Sequence, residues 1–74
     1  MLEATVRLSE RELQVVRLVI EALTDQEIGR ALAITERTAQ AHVLAARGKL
    51  GARSRTHLAV LALRRGLVPL DPAG

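Results

Sequence analysis

Between Ile34 and Arg55 the chain reads ITERTAQAHVLAARGKLGARSR, with five basic residues (Arg37, Arg47, Lys49, Arg53, Arg55) against the single acid Glu36. Arginine supplies ten of the eleven basic residues of the whole chain. Its planar fork of donors matches phosphate, carboxylate and base edges in a bidentate way. The catalytic repertoire beside this is thin. His42 has no cysteine and no carboxylate at ligand spacing, so its expected place is structural or next to a phosphate. No nucleophile is paired with a base, no glycine-rich loop could cradle a phosphate, and no two carboxylates are spaced for acid–base work. The sequence therefore predicts a binding protein and not an enzyme, with no cofactor and no metal.

The charge is unevenly placed. Residues 1–34 carry four Arg against six acids, whereas residues 35–74 carry seven Lys/Arg against Glu36 and Asp71. A basic second half points to a polyanion partner for that half, against the alternative of an ordinary solvated basic surface. With 74 residues, no Phe, Tyr or Trp and no Cys, the chain has one small aliphatic core to build and no disulfide to brace it. Such side chains suit packed helices better than a small sheet. The longest apolar run, Leu58 to Leu63, is far short of the roughly 18 residues that span a bilayer. MLEATVRLSERE turns charged before an apolar stretch develops, unlike a signal peptide, so a cytoplasmic location and no membrane partner are expected.

Four helix starts follow from the hydroxyl residues. Ser9 with Glu12 and Thr24 with Glu27 are capping boxes, in which hydroxyl and carboxylate satisfy backbone donors of the first turn. Thr35 and Ser54 are further N-caps without the acidic partner. Gly51 and Gly66 suit the left-handed residue after a helix, and Pro69 and Pro72 close the last element. The predicted helices are Glu10–Leu23, Asp25–Leu32, Glu36–Leu50 and Arg55–Arg65. In the first, Glu10, Gln14, Arg17 and Glu21 share one line at about 100° per residue, with Val16, Val19 and Leu23 opposite. Glu12 lies on that inner side and needs a partner, for which Arg55 is the candidate. The second helix is expected to bury Ile28, Ala31 and Leu32. The three-residue turn Ala33-Ile34-Thr35 into a longer basic helix makes a helix-turn-helix arrangement, with strain at Ala33 if its φ is positive.

In that arrangement the second helix of the motif, here the third of the chain, lies in the major groove of DNA. Ala39, Val43, Ala46 and Leu50 form its core side. The opposite side presents Arg37, Gln40, Ala41, Leu44 and Gly48, with Ala45 at its edge. Arg37 could grip guanine and Gln40 adenine, while Ala41 and Leu44 could meet a thymine methyl or exclude water. The two helix N-termini offer free N–H groups to phosphate beside the Thr24, Thr35 and Thr38 hydroxyls, although Thr24 and Thr35 are caps first. Lys49, Arg53 and Arg55 follow as phosphate candidates, and Arg47 is expected to be solvent-exposed or phosphate-bound. Lys49 also suits the negative end of the helix dipole.

The fourth helix, with HLAVLAL, is apolar round its whole circumference, and a small domain covers only one side. If Ala59, Ala62 and Leu63 pack inward, Val60, Leu61 and Arg64 look out, with His57 near the start. These four are the candidate contacts of a homodimer that would place two recognition helices one DNA turn apart. Scattered surface leucines needing no explanation are the alternative.

The ordered set Ser9, Arg11-Glu12, Glu27-Ile28, Leu32, Ile34-Thr35, Thr38, His42-Val43, Lys49-Leu50-Gly51 and Arg55 resembles the LuxR/FixJ-type, or GerE-type, helix-turn-helix domain over about Leu8 to Val68. The resemblance implies an all-α, four-helix DNA-binding domain. Its third helix would be the recognition helix and its fourth the dimerisation helix. It further implies a place in bacterial transcriptional regulators, with double-stranded DNA, a second copy and RNA polymerase as candidate partners. Residues 1–7 would be an N-terminal extension, 8–68 the domain and 69–74 a short tail. The chain departs from the family where Ala39-Gln40 replaces a common Val-Lys, where Ala46 replaces a larger aliphatic, and at Gly48 inside a helix. Two other readings share these features: a helix-turn-helix used mainly for protein interaction, and a domain like region four of sigma factors.

Overall fold

The computed structural model describes residues 7–67. The expected tail, the two prolines and all of the expected extension except Arg7 lie outside these residues. Four helices follow one another: α1 Glu10–Ile20, α2 Asp25–Leu32, α3 Glu36–Leu50 and α4 Arg55–Arg64. No strand occurs among the described residues.

Each helix begins where a hydroxyl replaces a missing backbone acceptor. The Ser9, Thr24, Thr35 and Ser54 side chains accept from the amides of Glu12, Glu27, Thr38 and His57. Both capping boxes close, because Glu12 and Glu27 each accept in turn from the amide of the capping residue, at 2.8 Å. The helix ends are less uniform. Gly51 and Gly66 sit at φ 71° and 67°, as their position predicts.

α1, however, stops at Ile20 and not at Leu23. Ala22 adopts φ 68°, the Ala22 amide donates to Val19 O at 2.9 Å, and the Leu23 amide donates to Leu18 O at 3.1 Å. That pair of bonds is a Schellman stop built on alanine. It turns Leu23 out of the helix yet keeps it packed against the core. Ala33 likewise lies at φ 59°, so the helix-turn-helix corner carries the strain that an L-residue meets there.

The core holds no ring. Val15, Val16, Val19, Ile28, Ala39, Val43, Ala46, Leu50, Leu58 and Ala62 are buried in one cluster. α3 packs on the other three helices, while α2 and α4 do not pack on each other. The buried line Ala39, Val43, Ala46, Leu50 is the one its periodicity predicts. Two expectations need correction. In α2, Ala31 is exposed and Gly29 is buried in its place. A Cβ on Gly29 would meet Ile34 O at 2.7 Å, so a larger residue there would hold α2 away from the corner. In α4, Leu58 is fully buried and Leu61 packs inward, whereas Leu63 is only half-buried. The outward face is therefore Thr56, Val60, Leu63 and Arg64, rather than Val60, Leu61 and Arg64. A segment apolar on every side has no moment to say which face turns in.

Candidate nucleic-acid interface

α3 is held like a rod in a clamp. Its buried line faces α1, α2 and α4, so its opposite side is left to solvent. Arg37, Thr38, Gln40, Ala41, Leu44, Ala45 and Gly48 are all exposed, and His42 is half-buried at the margin. The N-terminus of α3 stands beside an open hollow lined by Thr35, Glu36, Arg37 and Gln40. Thr35 Oγ1 accepts from the Thr38 amide at 3.0 Å and donates to Thr38 Oγ1 at 2.8 Å. The Thr35 proton is thus used internally, and the Thr38 hydroxyl is left with a proton to donate. Thr24 Oγ1 accepts from the Glu27 amide and keeps its own proton free.

The two helix N-termini differ in charge. α2 carries Asp25 and Glu27 in its first turn, whereas α3 carries Glu36 alone, followed directly by Arg37. Acids in the first turn offset the partial positive charge that attracts an anion. The start of α3 is the better phosphate seat of the two.

The basic residues of α3 and of the segment after it divide into free and engaged groups. Arg53 and Arg37 have exposed side chains without an ion-pair partner among the described residues. Arg47 is half-buried, with its Nη2 donating to Arg53 O at 2.8 Å across the loop to α4. Its Nε is buried without a partner. Lys49 Nζ donates to Glu12 Oε1 at 2.7 Å. The partner expected for Glu12 was Arg55, but Arg55 points elsewhere. It donates through Nη1 to Asp25 at 2.6 Å and through Nη2 to Leu23 O at 2.6 Å. The start of α4 is thereby tied to the start of α2, two helices that do not otherwise touch. Both long cations reach any carboxylate within several ångströms, so the choice was not readable from periodicity.

Burial works to raise the Glu12 pKa. Hydrogen bonds from Lys49 and the Ser9 amide, with the lysine's charge, outweigh burial and hold the carboxyl below its ordinary value. Arg47 and Lys49 thus tie α3 to the loop before α4 and to α1, while Arg55 ties α4 to α2 and the turn before it. Gly29 and Asp25 belong with them as positioning residues that the sequence reading passed over. A lone glycine inside EIGRAL was the available signal for the first.

On the side of α4, His57 Nδ1 accepts from the Arg53 amide at 2.9 Å, so the imidazole braces the start of the helix and is half-buried. Val60 is 38% exposed, with Arg64 exposed one turn on. No cluster of three or more His, Cys, Asp or Glu side chains at metal-binding distance occurs among the described residues. No described helix is long and apolar enough to cross a membrane.

Known sequences carry the same pattern. The model of the family described as bacterial regulatory proteins, luxR family, matches residues 6–62. The transcriptional activator protein BjaR1 of Bradyrhizobium diazoefficiens is 42% identical over 84% of this chain, which spans 26% of that protein. The transcriptional regulatory protein LiaR of Bacillus subtilis is 41% identical over 82% of the chain, which spans 29% of it. The spore germination protein GerE of Bacillus subtilis is 36% identical over 85% of the chain, and here the chain spans 85% of the relative. Against BjaR1 and LiaR, then, the chain corresponds to less than a third of the protein.

Proposed function

The chain belongs to the luxR family of bacterial regulatory proteins, and from that premise we propose that it binds double-stranded DNA sequence-specifically, as a dimer, to regulate transcription. The exposed side of α3 carries this reading. It stands free along its length while the buried line Ala39, Val43, Ala46, Leu50 fixes its direction. In the major groove Arg37 would pair with guanine and Gln40 with adenine, each bidentate contact discriminating by ~1–3 kcal/mol. Thr24, Thr38, Arg53 and the free amides at the start of α3 would grip phosphate and set the register. Arg47 and Lys49 would act by holding α3 in place, with phosphate contact secondary to that work.

Dimerisation would use the outward face of α4, where Val60, Leu63 and Arg64 remain after the core has taken Leu58, Leu61 and Ala62. A second copy related by a two-fold axis would cover Val60 with its own counterpart. The two α3 rods would then enter successive major grooves about 34 Å apart.

A second reading, protein interaction through the helix-turn-helix, draws on the 53% exposure of Leu44 in the middle of the α3 surface. Salt separates the two. Titration of a duplex carrying selected half-sites should show affinity falling about a thousandfold between roughly 50 and 200 mM salt, for about six phosphate contacts in the dimer. A flat salt response, or no enrichment of any sequence from a random duplex pool, would give the second reading the better case.

A further inference from the structure

Leu44 is the most exposed large apolar side chain among the described residues, at 53%. It stands on the outer side of α3 between Ala41 and Ala45, both exposed. One turn beyond, Gly48 has no side chain, and an added Cβ there would meet nothing within 4 Å. The middle of this surface therefore offers no polar side-chain atom at all. Polar reach is confined to Arg37, Thr38 and Gln40 at one end, the half-buried Arg47 at the edge, and Lys49 and Arg53 towards the other end. The flanks suit a polyanion and the centre suits only something apolar.

Duplex DNA presents one kind of apolar group in its major groove, the methyl on C5 of a pyrimidine. Thymine carries it, and 5-methylcytosine carries it at the same place. We infer that Leu44, with Ala41 and Ala45, reads C5-methyl groups at the centre of each half-site, so that thymine and 5-methylcytosine are preferred there over uracil and unmethylated cytosine. This deepens the DNA-binding reading above and rests on it. The discrimination comes from burial of one methyl group against the leucine, which removes apolar surface of both partners from water.

The test begins with a duplex chosen by the 74-residue chain from a random pool. The same duplex is then made with deoxyuridine for thymidine, one position at a time. Pairing, charge and the minor groove stay the same; only the methyl is lost. Fluorescence anisotropy at fixed low salt should show about a three- to fivefold loss of affinity per contacted methyl. Methylating the cytosine of a C·G pair placed at that position should raise affinity by a similar factor. Leu44→Ala, a change at an exposed site, should bind thymine and uracil duplexes alike while keeping the parent's salt slope. If the parent itself binds the two duplexes equally with a steep salt slope, the methyl reading is overturned and DNA binding stands. If Leu44→Ala keeps the parent's discrimination, the methyl is read by another residue and the assignment to Leu44 is overturned. If no duplex binds in dilute salt, both readings fall.

Discussion

Glu12, in the first turn of α1, and Lys49, in the last turn of α3, meet at 2.7 Å. The same Glu12 oxygen accepts from the Ser9 amide at 2.8 Å, so one carboxylate closes a capping box and anchors the far end of α3. A residue serving two ends of the fold makes the first prediction. Glu12→Gln keeps an acceptor for Ser9 but loses the ion pair. Because Lys49 keeps 41% of its side chain exposed, water screens the pair and the loss should be about 1 kcal/mol.

The pair also gives stability a pH dependence. The folded-state pKa of Glu12 is lowered, so its contribution is fully present above the ordinary carboxylate value. It is lost as pH falls through the lowered folded value. Urea unfolding at neutral pH and at about pH 3 should therefore show a larger acid-side loss for the parent than for Glu12→Gln. Parallel losses would mean that Glu12 gains nothing from its partners.

Two glycines inside helices should respond in opposite directions. Gly48 is exposed with open space around it, so Gly48→Ala should stabilise by about 1 kcal/mol. In thermal unfolding that is a rise of about 4–8 °C. Gly29→Ala places a Cβ 2.7 Å from a backbone carbonyl, and the overpacking should destabilise by about 1–3 kcal/mol despite the better helix propensity. Equal shifts of the two variants would contradict the packing of α2 against the corner.

Ala22 ends α1 in the left-handed region. An L-residue there is strained by roughly 1–2 kcal/mol, while glycine is not but has more unfolded-state entropy to lose. Ala22→Gly should stabilise by a net of about 0.5–1 kcal/mol. Gly51→Ala, at φ 71°, is the reverse control and should destabilise. Denaturation midpoints of the pair check both signs, and a destabilising Ala22→Gly would rule out strain at that position.

Val60→Glu places a charge on the outward face of α4 without touching Leu58 or Ala62 in the core. Folding should be unchanged by circular dichroism. At a protein concentration just sufficient to saturate the duplex with the parent, sedimentation on two half-sites should show fewer than two copies of the variant bound where the parent binds two. Affinity for two half-sites should fall at least tenfold, through loss of the effective concentration that pairing provides. Unchanged stoichiometry would move the dimer contact off α4.

Much of this domain was legible before folding, because the signals concerned were local. A capping hydroxyl satisfies a first-turn amide wherever the helix packs, with a carboxylate three residues on at two of the sites, so all four helix starts fell at Ser9, Thr24, Thr35 and Ser54. The period of α3 placed Ala39, Val43, Ala46 and Leu50 inside and left Arg37, Gln40 and Leu44 outside, since Val43 and Leu50 share one line with two alanines and Arg37 and Gln40 lie opposite. Tertiary structure decided the rest. It gave Glu12 to Lys49 and Arg55 to Asp25, a choice between long flexible cations that only three-dimensional proximity could make. It turned Leu61 inward and Leu63 partly out on a helix whose apolar circumference carried no preference. It also gave Ala33 the positive φ that the short turn had left open, and set Ala22 in a left-handed turn that no neighbouring residue announced.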